Sequence, residues 1–144
     1  MPYCKEIAFG GSEYDASVAL RYAVLREPLH LVFDPRDLAK EYMDHHLCIF
    51  AEDHTLTGCV VMTPINFVEV KMRQLAVHPA WQSKGIGTQL VIHAEEWAQD
   101  MSYRKIILNA RKTAVPFYQN LHYNIEGEEF TEVGIPHFFM WKEM

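Results

Sequence analysis

Cysteine is scarce and unpaired in this chain of 144 residues: Cys4, Cys48 and Cys59 stand far apart, and no Cys-x-x-Cys occurs. An odd number at wide spacing suggests neither a zinc ribbon nor a disulfide framework. A reducing, cytoplasmic compartment is the simplest expectation. Long apolar runs are missing too. None reaches the ~18 residues of a membrane span, and Lys5 and Glu6 leave no stretch of signal-peptide character near the start. Positive charge is in deficit, with a formal net charge of −6. That disfavours a nucleic-acid-binding surface or attachment to an anionic membrane. No repeat, low-complexity tract or Gly/Pro/Ser-rich linker divides the chain. Residues 1–144 therefore read as one domain, long enough to hide roughly two-thirds of its unfolded surface.

What is present is an alternation of strands and helices, an α/β or α+β rhythm. Lys5 to Phe9 reads as a first strand, and Ser12 is placed to cap a helix over Glu13 to Arg26. Pro28 ends that helix, and Asp34-Pro35 opens a short one to Tyr42. Three strand-like runs follow, at His46 to Ala51, Leu56 to Met62 and Phe67 to Val77. Their short links suggest an antiparallel meander. From Gly85 to Met101, Ile86, Leu90, Ala94, Trp97, Ala98 and Met101 recur at intervals of three and four, the strongest helical pattern in the chain. Lys105 to Asn109 reads as a strand. Thr113 to Leu121 reads as a helix capped by Thr113, with Pro116 in its first turn. Tyr123 to Phe130 and His137 to Trp141 read as closing strands.

The most informative stretch joins the third strand-like run to the long helix: Val77-His-Pro-Ala-Trp-Gln82-Ser83-Lys84-Gly85-Ile86-Gly87-Thr88. Glycines let backbone approach a ligand closely. The first turn of a helix offers free N–H donors and partial positive charge, so this is a place for a phosphate. It is not a Walker loop, because Lys84 precedes the glycine instead of following it. Nor does it complete a dinucleotide fingerprint, since Leu90 holds the third glycine position.

Gln82-x-x-Gly85-x-Gly87 after a strand, followed by Ala114-Val-Pro-Phe-Tyr118-x-x-Leu121-x-Tyr123, resembles the two cofactor motifs of the GNAT superfamily of N-acetyltransferases. Leu108-Asn109-Ala110 and the tail Gly134-Ile-Pro-His137 with Met140 are similar to the ElaA-like branch. The resemblance implies a mixed, mostly antiparallel central sheet with helices on both faces. It implies acetyl-CoA as co-substrate and no metal. Pantetheine is expected along the backbone of Leu75, Ala76 and Val77, between two splayed strands, with Asn109, Ala114 and Tyr118 beside it. The pyrophosphate is expected on Gln82, Ser83, Lys84, Gly85, Ile86, Gly87 and Thr88. The acceptor is expected to be an amine of a small molecule or protein, attacked directly in a ternary complex.

By the same resemblance Tyr118 becomes the general acid for the CoA thiolate. A tyrosine titrates near 10 and a cysteine-like thiol near 8.5, so the phenol is protonated when the thiolate leaves. The general base is open. Many relatives carry a glutamate where this chain has Arg73. Glu69 shares the side-chain parity of Arg73, and His137 is the favoured histidine; a water chain to bulk solvent would serve as well. The missing glutamate also keeps a non-catalytic acyl-CoA-binding module as the alternative. His45 and His46 are neighbours in a strand and so point to opposite faces, which makes them poor joint metal ligands. His122 replaces a glycine after the second motif, and a positive φ is expected there. The methionines and aromatics, Phe138, Phe139 and Trp141 among them, read as core or as the surface of a homodimer. Residues 68–112 hold seven basic and four acidic side chains, against six and fifteen elsewhere. That asymmetry suits a polyanionic cofactor and favours a cationic acceptor.

Overall fold

The computed structural model describes residues 1–144. Strands β1 (Tyr3–Ile7), β2 (His45–Phe50), β3 (Leu56–Pro64) and β4 (Glu69–Val77) form an antiparallel meander. Helix α3 (Ile86–Asp100) then crosses over to β5 (Lys105–Arg111), which lies parallel to β4. β8 (Ile135–Glu143) runs antiparallel to β5, and the short β6 (Asn124–Ile125) and β7 (Phe130–Glu132) both pair with β8. The single sheet of eight strands thus has one parallel junction, at β4 and β5.

Two apolar cores sit on the two faces. α3 buries Ile86, Leu90, Val91, Ala94 and Ala98 against Leu47, Val60, Met72 and Leu108. These helix positions form the stripe that a 3.6-residue period dictates. On the other face α1 (Ser12–Arg21) packs Tyr14 and Leu20 over Cys48, Cys59 and Ala76. The buried stripe of α1 also carries Ser17 and Arg21, not Val18, which is only half-buried. Polar residues on a buried face hide the period from the sequence.

The pairing of β4 with β5 covers only Glu69–Lys71 against Lys105–Ile107. Beyond it the strands diverge into a V, as expected. β4 also changes parity. Val70 and Met72 face α3; after Gln74, at φ +54°, Leu75 and Val77 face α3 while Ala76 faces α1. The ladder to β3 slips at the same place, between Cys59 and Val61. One extra residue in a strand shifts every later side chain to the other face.

Several local expectations need correction. Ser12 makes no cap bond, and Gly11 holds the N-cap of α1. The helix does not run uniformly to Arg26, because Tyr22–Arg26 form a π-helical turn. Thr113 does not cap α4 (Val115–Asn120), which is led in by a 3-10 turn at Lys112–Ala114. Tyr123 to Phe130 is not one strand; Gly127, at φ +83°, lies in the break between β6 and β7. Asp34 does cap α2 (Pro35–Ala39), accepting from the Arg36 N–H at 2.8 Å. His122 has φ +71°, as expected of a histidine in a glycine position.

Candidate active site

Where β4 ends, the chain turns into α3 through a loop held by its own side chains. His78 N–H donates to the Thr57 carbonyl at 2.8 Å, the last tie to β3. His78 Nδ1 accepts from Ala80 N–H at 3.1 Å, and Gln82 Nε2 donates to the Val77 carbonyl at 3.1 Å. Ser83 and Gly85 then adopt left-handed backbone, φ +63° and +81°. The result is six consecutive N–H groups, Ser83 to Thr88, that donate to no acceptor in the chain. Left-handed turns followed by a helix start gather such donors into an anion-binding concavity. A hollow of about 410 Å³ lies over them, walled by Val77, Trp81 and Phe117. A Cβ at Gly87 would lie 3.4 Å from Phe117 Cζ, in contact with this wall. Lys84 rests over the Trp81 ring, 5.3 Å from its centroid.

The V itself opens into a second cleft of about 380 Å³. Met72, Leu75, Leu108, Ala110, Ala114 and Tyr118 line it from the α3 side. Tyr118 is buried on α4, with its ring edge-on to Phe117 and Tyr123. Burial pushes its phenol well above the usual tyrosine range. Its hydroxyl makes no hydrogen bond within the chain, so its proton is free for a ligand.

The α1 side of the cleft is polar. Lys71 and Arg73 come from β4, Asn109 and Arg111 from β5, and His137 from β8. Arg26 reaches in from the π-helical turn, whose Leu25 carbonyl accepts from Arg111 Nη2 at 2.9 Å. Glu132 closes the row, accepting from Asn109 Nδ2 at 3.2 Å and lying 3.5 Å from His137 Nε2. His137 Nδ1 is 3.0 Å from the Ile135 carbonyl. A carbonyl only accepts, so Nδ1 carries the proton and Nε2 is the atom turned to Glu132.

The structure therefore brings Leu75, Asn109, Ala114, Tyr118, Arg73 and His137 to one cleft, and Val77, Gln82, Ser83, Gly85, Ile86, Gly87 and Thr88 to the other. The Ala76 side chain packs into the core under α1, which leaves its backbone, the part expected to meet a ligand. The Lys84 side chain lines neither hollow and lies over Trp81 instead. Glu69 sits at the closed end of the V, bonded by Asn66 Nδ2 at 2.9 Å and 3.9 Å from Lys105 Nζ, and does not line the cleft. Arg73 is held by Thr63 Oγ1 at 3.2 Å and lies 3.7 Å from Asp44. His45 and His46 do face opposite ways, one to Glu6 and Trp97, the other to the Glu41 carbonyl.

Lys71, Arg26, Arg111 and Glu132 were not foreseen as site residues. Strand parity held the signal for two of them: Lys71 shares a face with Arg73, and Arg111 with Asn109. Chain-wide charge does not foretell the charge of this cleft. Its lining holds four basic side chains and one carboxylate, because local placement, not the total, decides the field at a site.

The sheet thus splits at one parallel junction, beside an anion-binding loop at a helix start and a cleft lined by a buried, unpartnered phenol. The chain belongs to the Acetyltransferase (GNAT) family, which it matches over residues 16–123. It is 28% identical to the Bacillus subtilis protein YyaT over 132 residues, covering 89% of this chain and 87% of that one. Its fold is similar to Escherichia coli ElaA, with TM-score 0.81, 20% identity and coverage of 99% and 100%. It is also similar to a GNAT family acetyltransferase from Elizabethkingia anophelis with acetyl-CoA bound, with TM-score 0.76, 18% identity and coverage of 99% and 98%. No helix is long and apolar enough to cross a membrane.

Proposed function

We propose that the protein moves an acetyl group from acetyl-CoA to a primary amine, by direct attack within a ternary complex. The row of unpartnered N–H groups from Ser83 to Thr88, beside an open V, carries this reading. The loop suits a pyrophosphate, and the free edge of β4 beyond Lys71 suits an extended pantetheine arm. When bound, acetyl-CoA supplies the activated thioester. The protein's own groups do the rest. Tyr118 donates its hydroxyl proton toward the departing sulfur, a general-acid role of a kind worth ~10²-fold or more. The His137–Glu132 pair, with Nδ1–H held on the Ile135 carbonyl and Glu132 3.5 Å from Nε2, takes the proton of the incoming amine. Neither Glu69, tied at the closed end, nor Arg73, a permanent cation, suits that task. The three free cysteines are consistent with work in a reducing cytoplasm.

The test is release of CoA thiol from acetyl-CoA across a panel of primary amines, together with titration of acetyl-CoA into the protein. Tight binding and amine-dependent release support the enzyme. Binding without release by any amine would leave a non-catalytic acyl-CoA-binding module, and no binding would remove both.

A further inference from the structure

The α1 side of the V has an electrostatic character that catalysis alone does not require. Arg26, Lys71, Arg73 and Arg111 converge on it from three separate elements: the π-helical turn, β4 and β5. Arg73 has Asp44 for company, at 3.7 Å. Arg26, Lys71 and Arg111 have no carboxylate within 4.0 Å. Glu132, the one acid in the lining, accepts from Asn109 and lies 3.5 Å from His137 Nε2. Arg111 is depressed below the usual guanidinium range by burial first and by Arg26 next. Like charges held together in a partly buried cleft repel, and this arrangement is costly unless an anion joins it.

That anion is not the cofactor's pyrophosphate. The loop that suits phosphate lies at the start of α3, whereas Lys71 and Arg73 project to the opposite face of the sheet, ahead of the parity change at Gln74. The cations instead stand beside His137 Nε2, where the proposed amine must arrive.

We infer that the acceptor is a small amine carrying its own anionic group, a carboxylate or a phosphate, which Arg26, Lys71 and Arg111 hold while the amine faces His137. The inference rests on the proposed transferase reading and names its substrate class. Arginine suits either anion through its fork of donors, and lysine adds a point charge. Together they fix the far end of the acceptor and so orient its amine.

Matched acceptor pairs test this with the full-length chain and acetyl-CoA. Glycine is compared with glycinamide, and serine with serinamide, for the carboxylate. Aminoethyl phosphate is compared with ethanolamine for the phosphate. Release of CoA thiol is normalised to the free-base amine, because the partners differ in amine basicity. We expect kcat/KM at least tenfold higher for the anionic partner in one arm, and that arm identifies the anion. Lys71→Gln and Arg111→Gln should each shrink the ratio at least threefold without changing the acetyl-CoA dissociation constant. Lys71 makes no internal bond that folding would miss, so it keeps the test open if Arg111→Gln folds poorly. Equal or better turnover of the uncharged partner in both arms overturns the inference and leaves the transferase standing. If no amine releases CoA, the transferase reading fails by itself. The anion preference is then read from binding of N-acetylglycine against N-acetylglycinamide to the CoA-loaded protein, where equal affinity overturns it.

Discussion

Tyr118 is unusual among the buried tyrosines of this protein. The hydroxyl of Tyr14 donates to Glu41 at 2.7 Å, and that of Tyr123 donates to Glu95 at 2.8 Å. Burial and the Glu41 carboxylate push the Tyr14 phenol up to about 12. Tyr118 alone of the three is left without a partner, in the lining of the cleft. A phenol that served packing only would tolerate loss of its oxygen. We expect Tyr118→Phe to lower kcat at least tenfold while the acetyl-CoA dissociation constant stays within twofold. Steady-state turnover and calorimetric titration of the two proteins provide the check, and unchanged kcat would remove the assignment. The motif made Tyr118 legible in the sequence. Glu132 was not, because nothing local marks a carboxylate that reaches His137 only when β7 folds back on β8.

At the scale of elements, the approach to α3 rests on backbone shape as much as on side chains. Gly85 has φ +81°, and an added Cβ would meet nothing within 4 Å. An alanine there is therefore penalised by backbone conformation alone, by roughly 1–2 kcal/mol. Gly10, at φ +82° and also with open space around it, is a matched control. We expect Gly85→Ala and Gly10→Ala to lower the melting temperature by similar amounts. Only Gly85→Ala should weaken acetyl-CoA binding, by at least fivefold in titration, since it alone turns the loop N–H groups. Equal binding by the two variants would mean that the left-handed turn is not part of the phosphate site. Periodicity revealed α3, and the spacing of glycines revealed its loop. The π-helical turn at Tyr22–Arg26 escaped, because its sequence continues the helical pattern and only tertiary contact, such as Arg111 on the Leu25 carbonyl, selects the wider turn. The bulge at Gln74 escaped for the same reason: Arg21 Nη1 donates to its side chain at 3.0 Å from another element.

For the molecule as a whole, that same arginine is a tie point between α1, the segment before β2 and the central strand. Arg21 is fully buried and binds both carboxylate oxygens of Glu41, at 2.8 and 2.9 Å. Burial by itself would raise the Glu41 carboxyl, but hydrogen bonds from Arg21 and Tyr14 outweigh it and hold it below its ordinary 4.5. A carboxyl depressed by folding contributes stability that is complete above its unfolded value and lost as pH falls through the folded one. Denaturant unfolding followed from pH 7 to pH 3 should therefore show stability falling below about pH 4.5. Glu41→Gln should lose about 3–5 kcal/mol at pH 7, the cost of stranding a buried partner, and should show a shallower acid decline. An unchanged slope in the variant would place the acid sensitivity elsewhere. The overall architecture was readable because two motifs and one strong helix fixed its middle. The charge of the cleft's α1 side was not, because a total of −6 averages over surfaces that never meet.

The parity change at Gln74 has a consequence for variation. Upstream of it, Lys71 and Arg73 line the polar side of the cleft; downstream, Leu75 and Val77 turn toward the α3 core, and their backbone offers the free edge. One strand thus carries two separately editable halves. On the proposed reading, substitutions before the bulge retune which amine is accepted without disturbing the cofactor's seat. A single insertion or deletion there would instead exchange the lysine and arginine for Met72 on the acceptor face and drive charge into the core. Such a strand tolerates change in kind but not in length, a constraint under which new specificities can arise on an unaltered catalytic frame.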